Sequence, residues 1–138
     1  MLPGYLQGVG DAETKFDVAG IRWHRTGDLG RIDAQGRLWL LGRASAKLRD
    51  DRGVLYPFAV ECAAQQIAGV RRAALLQFRN QRVLVVEGVP ATMQPAIVQA
   101  LSWAQLDRVS ILPSIPVDKR HNAKVDYAAL RTKLSSGR

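Results

Sequence analysis

The chain has 138 residues, 47% of them apolar, and 20 Lys and Arg against 12 Asp and Glu, a formal net charge of +8. That allows one modest domain with a packed core, and no apolar run reaches the length of a membrane-spanning helix. A single cysteine, Cys62, excludes an intramolecular disulfide and a cysteine-based metal cluster.

Residues 1–22 are rich in glycine, have no clear period and read as loop with one short strand near 20–23. They lack the basic and then apolar regions of a signal peptide, so a cytoplasmic setting is expected. With so little apolar surface, they read as the last piece of a larger domain. Thr26-Gly27-Asp28 is a polar turn. A hairpin follows with arms at 29–33 and 37–42, reversing at Asp33-Ala34-Gln35-Gly36, where Gly36 supplies a positive φ. Residues 37–41, RLWLL, read as a half-buried to buried strand. This places Asp28 at one end of the hairpin and Arg43 at the other. A carboxylate accepts two hydrogen bonds at once and suits a vicinal diol such as a ribose. A guanidinium suits a phosphate or a sugar oxygen. The same residues also fit a turn-capping aspartate and a solvated arginine.

Residues 44–47 are small and break the apolar pattern, marking a boundary. Residues 47–55 form a short hairpin with a charged tip. Pro57 opens a helix over 58–67, with Gly69 as its stop, and Cys62 on it reads as a buried small residue. Strands over 70–76 and 82–86 pair antiparallel through a turn at 79–81. Thr92 caps a helix over 93–106 whose Ile97, Val98, Leu101 and Ala104 or Gln105 face the sheet. A third strand covers 108–112. Asp126 caps a last helix over 127–134, with Leu130 and Leu134 on one face, and the chain frays after it. Residues 113–124 hold two prolines and three cations around His121 and read as an exposed, mobile loop. The fold class is α+β: a mixed or antiparallel three-stranded sheet covered by helices.

The stretch Trp23, Arg25-Thr26-Gly27-Asp28-Leu29-Gly30 and then Gly42-Arg43 resembles the end of the large domain in the AMP-forming acyl-adenylating superfamily, which includes acyl-CoA synthetases. Three further stretches fit the same pattern. Gly4–Gly8 with Thr14–Phe16 resembles the run into the turn, Leu55-Tyr56-Pro57 through Glu61 resembles I-Y-P-x-E-I-E, and Lys124 with the helix after it resembles the lysine signature near the family's C-terminus. Ala59 replaces the first glutamate of that pattern, Ala123 the glycine before the lysine, and His24 an aromatic. A narrower likeness, in Pro116-Val117-Asp118, Arg120–Lys124 and Gly53–Tyr56, is to the β-lactone synthetases of bacterial olefin biosynthesis and their acyl-AMP ligase relatives.

The resemblance implies that Asp28 holds the ribose hydroxyls of ATP and that Arg43 contacts the same nucleotide. It implies a hinge at 44–47 with Ser45 as the pivot, and Lys124 as the catalytic lysine that neutralises charge at the α-phosphate. His121 reads as an ordinary loop residue. Residues 1–43 would be the terminal segment of the large domain, disordered or paired with another copy in its absence, and 48–138 the small mobile lid. Implied cofactors are ATP/AMP and Mg²⁺, with CoA or a carrier protein as the second acceptor. The implied substrate is a carboxylic acid, read as a fatty acid. The superfamily's phosphate loop, acyl pocket and metal-binding glutamate are not found in these 138 residues, so the isolated chain is expected to be inactive. A metal site on this chain is not expected. Two other readings stand beside this one: a lid module that docks on a separate large subunit or carrier, and a basic nucleic-acid-binding domain. The cations speak little for nucleic acid, being scattered and not interleaved with aromatics.

Overall fold

The fold is that of a computed structural model, which describes residues 11–118 and 124–136. The chain divides into two compact units, with the break between Ser45 and Ala46.

Among its described residues the first unit has one helical turn, α1 (Asp11–Thr14), and two antiparallel hairpins. In the first, β1 (Lys15–Val18) and β2 (Ile21–His24) pair around Ala19 and Gly20, whose φ values of +50° and +76° match the right-handed twist of the strands. The sequence alone points to loop and one strand here, because Ala-Gly is a weaker hairpin signal than Asn-Gly. In the second, β3 (Asp28–Ile32) pairs with β4 (Leu38–Arg43). Its turn is organised by Asp33, whose carboxylate accepts the Gln35 and Arg37 N–H groups at 3.0 and 2.9 Å and Arg37 Nε and Trp39 Nε1 at 2.7 Å each. Those donors hold the Asp33 carboxyl down at about 2, the Trp39 indole foremost. Gly36 takes its expected positive φ of +75°. The apolar side chains of the hairpin are open: Ile32 is 72% and Leu38 74% exposed, and Trp39 and Leu40 are exposed as well. A buried 37–41 strand is therefore not what this chain provides by itself.

The second unit opens with a small hairpin, β5 (Leu48–Asp50) and β6 (Gly53–Leu55), followed by helix α2 (Pro57–Gln65). Strands β7 (Arg72–Phe78) and β8 (Gln81–Glu87) pair antiparallel through Arg79 and Asn80, both left-handed. Helix α3 (Gln94–Ala100) then crosses over so that β9 (Arg108–Leu112) lies parallel to β8, giving a mixed sheet in the order β7-β8-β9. Helix α4 (Tyr127–Ser136) closes the unit.

Strand alternation sorts the core into two layers. Ala73, Leu75, Leu84 and Val86 meet α2 through Val60 and Ala64 and α3 through Ile97 and Leu101. Ala74, Leu76, Val83 and Val85 meet Ile115 and the Leu130 and Leu134 stripe of α4. The α3 region departs from expectation. It is not one helix capped by Thr92 but a short α-helix between 3₁₀ turns at Ala91–Met93 and Ser102–Ala104. Leu101 leaves helical geometry and Gln105 is left-handed, which turns Ala104 into the core and leaves Gln105 outside it. Val98, expected to face the sheet, is exposed. Cys62 is also exposed, because Val60 and Ala64 are the residues α2 turns inward.

A polar cluster ties the β5–β6 hairpin to the sheet. Arg82 is only 4% exposed. It donates to both carboxylate oxygens of Asp50 at 2.8 and 2.6 Å and to the Ala104 carbonyl at 3.0 Å. Arg52 bridges Asp50 and Asp107 at 2.8 and 2.7 Å, and Asp107 in turn accepts the Arg82 N–H at 2.7 Å.

Candidate functional site

Asp28 opens β3 and Arg43 closes β4, so the hairpin fold sets them directly opposite each other, not at opposite ends as expected. The register shift at Leu29/Gly30 absorbs one extra residue on β4 and keeps that pairing. The Thr26-Gly27-Asp28 turn is built around this pair. Thr26 Oγ1 accepts the Asp28 N–H at 3.1 Å, Gly27 has φ +80°, and Arg43 Nη1 donates to the Thr26 carbonyl. A Cβ on Gly27 would lie 3.3 Å from that same guanidinium nitrogen, a close contact added to the positive φ that favours glycine there. Beyond the ladder, the Ala44 N–H reaches the Gly27 carbonyl at 2.9 Å. Arg43 Nε stands 3.4 Å from Asp28 Oδ1, and both side chains remain about half exposed, 57% and 42%. The result is an open carboxylate beside an open cation. It suits a ligand that offers hydroxyl donors next to an anionic group. Ser45 is the middle residue of the 3₁₀ turn Ala44–Ala46 and the last residue of the first unit.

In the second unit, Lys124 stands at the rim of a clasp. The Asp118 N–H bonds the Lys124 carbonyl at 2.8 Å, Val117 bridges to Val125, and the Asp126 N–H bonds the Pro116 carbonyl at 3.0 Å. Upstream, Ile115 is buried and its N–H donates to Glu87 Oε2 at 2.7 Å, with Arg71 and Arg72 3.5 and 3.7 Å from the same carboxylate. Expected to be a mobile loop, the segment is anchored over residues 115–118 and again from Lys124. Lys119, Arg120 and His121 lie outside the described residues. The Lys124 side chain is exposed and borders an open groove of about 700 Å³ shared with Pro116, Asp118 and Tyr127. Asp126 caps α4 as expected, accepting the Ala129 N–H at 3.0 Å.

The expected site residues thus fall in two groups: Asp28 and Arg43 meet on one hairpin of the first unit, and Lys124 belongs to the second. Among the described residues no three His, Cys, Asp or Glu side chains converge as a metal-binding group, so the described donors do not build a site for Mg²⁺. No helix of the described residues is long and apolar enough to cross a membrane.

One polar arrangement went unseen in the sequence. Glu61 on α2 accepts the Leu75 N–H at 2.9 Å, plugging the outer edge of β7, and the Tyr127 hydroxyl at 3.3 Å. Burial pushes its carboxyl up, and burial together with the Glu61 charge raises the Tyr127 phenol. The sequence signals were its place in the pattern that ends at Glu61 and its position next to a core residue, Val60; neither names its partners. Because folded Glu61 keeps its proton to higher pH than the unfolded chain does, its ionisation opposes folding. Its contribution is complete below the unfolded pKa and is lost as pH rises through the folded one. Glu61→Gln keeps the acceptor without the charge. Its Tm relative to the parent should be near zero at about pH 4 and positive at about pH 8. Thermal unfolding across that range checks this, and a pH-independent difference would contradict it.

No family model matches the chain. Curated relatives do: the chain is a homologue of the C-terminal part of AMP-forming adenylating ligases. It is 39% identical over 126 residues to the olefin beta-lactone synthetase of Stenotrophomonas maltophilia, an overlap covering 82% of this chain and 23% of that enzyme. It is 39% identical over 54 residues to the 2-succinylbenzoate–CoA ligase of Enterococcus faecalis, covering 39% of this chain and 11% of the ligase. In fold it is similar to the anthranilate CoA ligase AuaEII, solved in complex with anthranoyl-AMP. That match has a TM-score of 0.68 at 18% identity and covers 80% of this chain and 24% of the other. The chain therefore spans less than a quarter of the length of the curated relatives it matches.

Proposed function

We propose that this chain acts as the C-terminal segment of an AMP-forming ligase that converts a carboxylic acid and ATP to an acyl-AMP and pyrophosphate. In this reading residues 1–43 end the large adenylating domain, 44–47 are the hinge with Ser45 as its pivot, and 48–138 are the lid. The observation that carries it is the Asp28–Arg43 pair, 3.4 Å apart and open to solvent at the end of a hairpin whose sequence resembles the ligase pattern. Asp28 accepts hydrogen bonds from the two ribose hydroxyls, and Arg43, held by the Thr26 carbonyl, faces the same nucleotide. Lys124 brings an ammonium to the α-phosphate when the lid closes. Bound ATP supplies the leaving pyrophosphate; Mg²⁺ would be held by residues outside this chain. The named relatives support a carboxylic acid, with a fatty acid as the specific substrate proposed and CoA or a carrier protein as the acceptor. A cytoplasmic location goes with that chemistry.

The exposed Ile32, Leu38 and Leu40 side chains support a first unit that packs on a large domain, continuous with this chain or supplied as a separate subunit. The 138 residues alone should release no pyrophosphate from ATP with any of a panel of carboxylic acids, since catalysis requires ATP and acid to be held together. Pyrophosphate release above the no-enzyme rate would overturn this division of labour.

A further inference from the structure

We infer that Tyr127 is a positioning residue for Lys124, acting through its hydrogen bond to Glu61. The inference rests on the reading of Lys124 as the adenylation lysine.

Tyr127 is the first residue of α4 and directly follows residues 124–126 of the clasp. The body of α4 is fixed by Leu130 and Leu134, both buried on the sheet face that carries Ala74, Leu76, Val83 and Val85. Those anchors lie one and two turns into the helix. They leave the first turn, and the clasp before it, with only Val125 and Tyr127 half-packed on the same layer. The Tyr127 hydroxyl supplies the missing tie. It bonds Glu61 Oε1 at 3.3 Å, and the same oxygen accepts the Leu75 N–H at 2.9 Å. Glu61 belongs to α2, which packs on the opposite face of the sheet through Val60 and Ala64. Because β7 is an edge strand, a side chain from one layer can reach past it to the other. The start of α4 is thereby joined to the edge of the sheet and to the helix behind it, three residues after Lys124.

The second fixed point is at the other side of the clasp, where Glu87 holds the Ile115 N–H at 2.7 Å. Between these two points the Asp118 and Asp126 amides close the clasp at 2.8 and 3.0 Å, and Lys124 contributes one of the carbonyls they use. Loosening the Tyr127 end lets the pairing fray at Lys124 while the sheet stays intact. The backbone from which the ammonium must reach into a cleft would then sample more positions, and the rate of the step that needs a defined position would fall.

The test uses amide hydrogen exchange in the 138-residue chain. In Tyr127→Phe, which keeps the ring and removes only the hydroxyl, the Asp118 and Asp126 amides should exchange roughly three- to tenfold faster, as expected for one lost hydrogen bond. At about pH 4, Glu61→Gln, which still accepts from both donors, should exchange like the parent. Unchanged exchange at Asp118 and Asp126 would overturn the inference, as would an equal acceleration of amides in the β5–β6 hairpin, whose local opening does not break the Tyr127 bond. In a ligase carrying this segment, Tyr127→Phe should lower kcat for adenylation with KM for ATP unchanged, and a raised KM at constant kcat would also overturn it. If Lys124→Ala has no effect on adenylation, the functional reading of Lys124 fails, whereas the exchange experiment still decides the role of Tyr127 in the clasp.

Discussion

Lys124→Ala, in a ligase of which this chain forms the C-terminal segment, is expected to slow acyl-AMP formation by about 10²–10³-fold. As the carboxylate attacks, negative charge gathers on the α-phosphate oxygens and the departing pyrophosphate. An ammonium brought to that charge in a water-poor cleft lowers the barrier more than it stabilises the ground state. The exposed Lys124 side chain on an anchored backbone suits delivery by a moving lid. If the lid serves the two steps in different orientations, the second step, started from supplied acyl-AMP, should be much less affected. Lys119→Ala should do little. Separate measurement of both half-reactions checks this: equal losses in the two steps, or a larger loss for Lys119→Ala, would reject Lys124 in this role.

Arg82→Ala is expected to destabilise the second unit strongly. The guanidinium is almost fully enclosed and makes three bonds that a methyl group cannot make, two to Asp50 and one to the Ala104 carbonyl. Removing one partner of such a cluster leaves buried acceptors unmatched and a hole where the side chain lay, at about 3 kcal/mol. For a unit of this size that is a fall in Tm of more than about 10 °C. Arg49→Ala, at an exposed neighbouring strand position, should change stability by less than about 0.5 kcal/mol. The Arg82 bonds are also the largest cause of the depressed Asp50 carboxyl, at about 2. Asp50 therefore stabilises the fold above its unfolded pKa, and that contribution is lost as pH falls from about 4 through 2. Acid unfolding should begin at higher pH in Arg82→Ala. An unchanged acid midpoint would show that the cluster contributes nothing in solution.

Much of the fold was legible because the determining signals are local. The β7 and β8 strands, the β9 range, the Asp33–Gly36 turn and the Asp126 cap each depend on residues within a few positions of one another. Failures occurred where geometry depends on distant partners. The Asp28–Arg43 pairing follows from a bulge that no residue type announces. The break at Leu101 and the left-handed Gln105 belong with a polar cluster joining residues 50, 52, 82 and 107, far apart in sequence. Glu61 was noted as part of a sequence pattern, but its two partners, Leu75 and Tyr127, come from other elements. Trp39 and Leu40 have the composition of a buried strand, yet both stay exposed. Of the candidate site, the ligase-like pattern points to Asp28, Arg43 and Lys124 as candidates, whereas their side-chain pairings are not visible in it.

In the proposed reading residues 48–138 form the lid of an adenylating ligase, with Lys124 as its catalytic group. The most direct test replaces the corresponding C-terminal segment of the Stenotrophomonas maltophilia olefin beta-lactone synthetase with these residues and measures carboxylate-dependent pyrophosphate release. The chimera should release pyrophosphate, and the same chimera with Lys124→Ala should be slower by at least about 100-fold. A folded chimera that is inactive, or one in which Lys124→Ala changes nothing, would contradict the account.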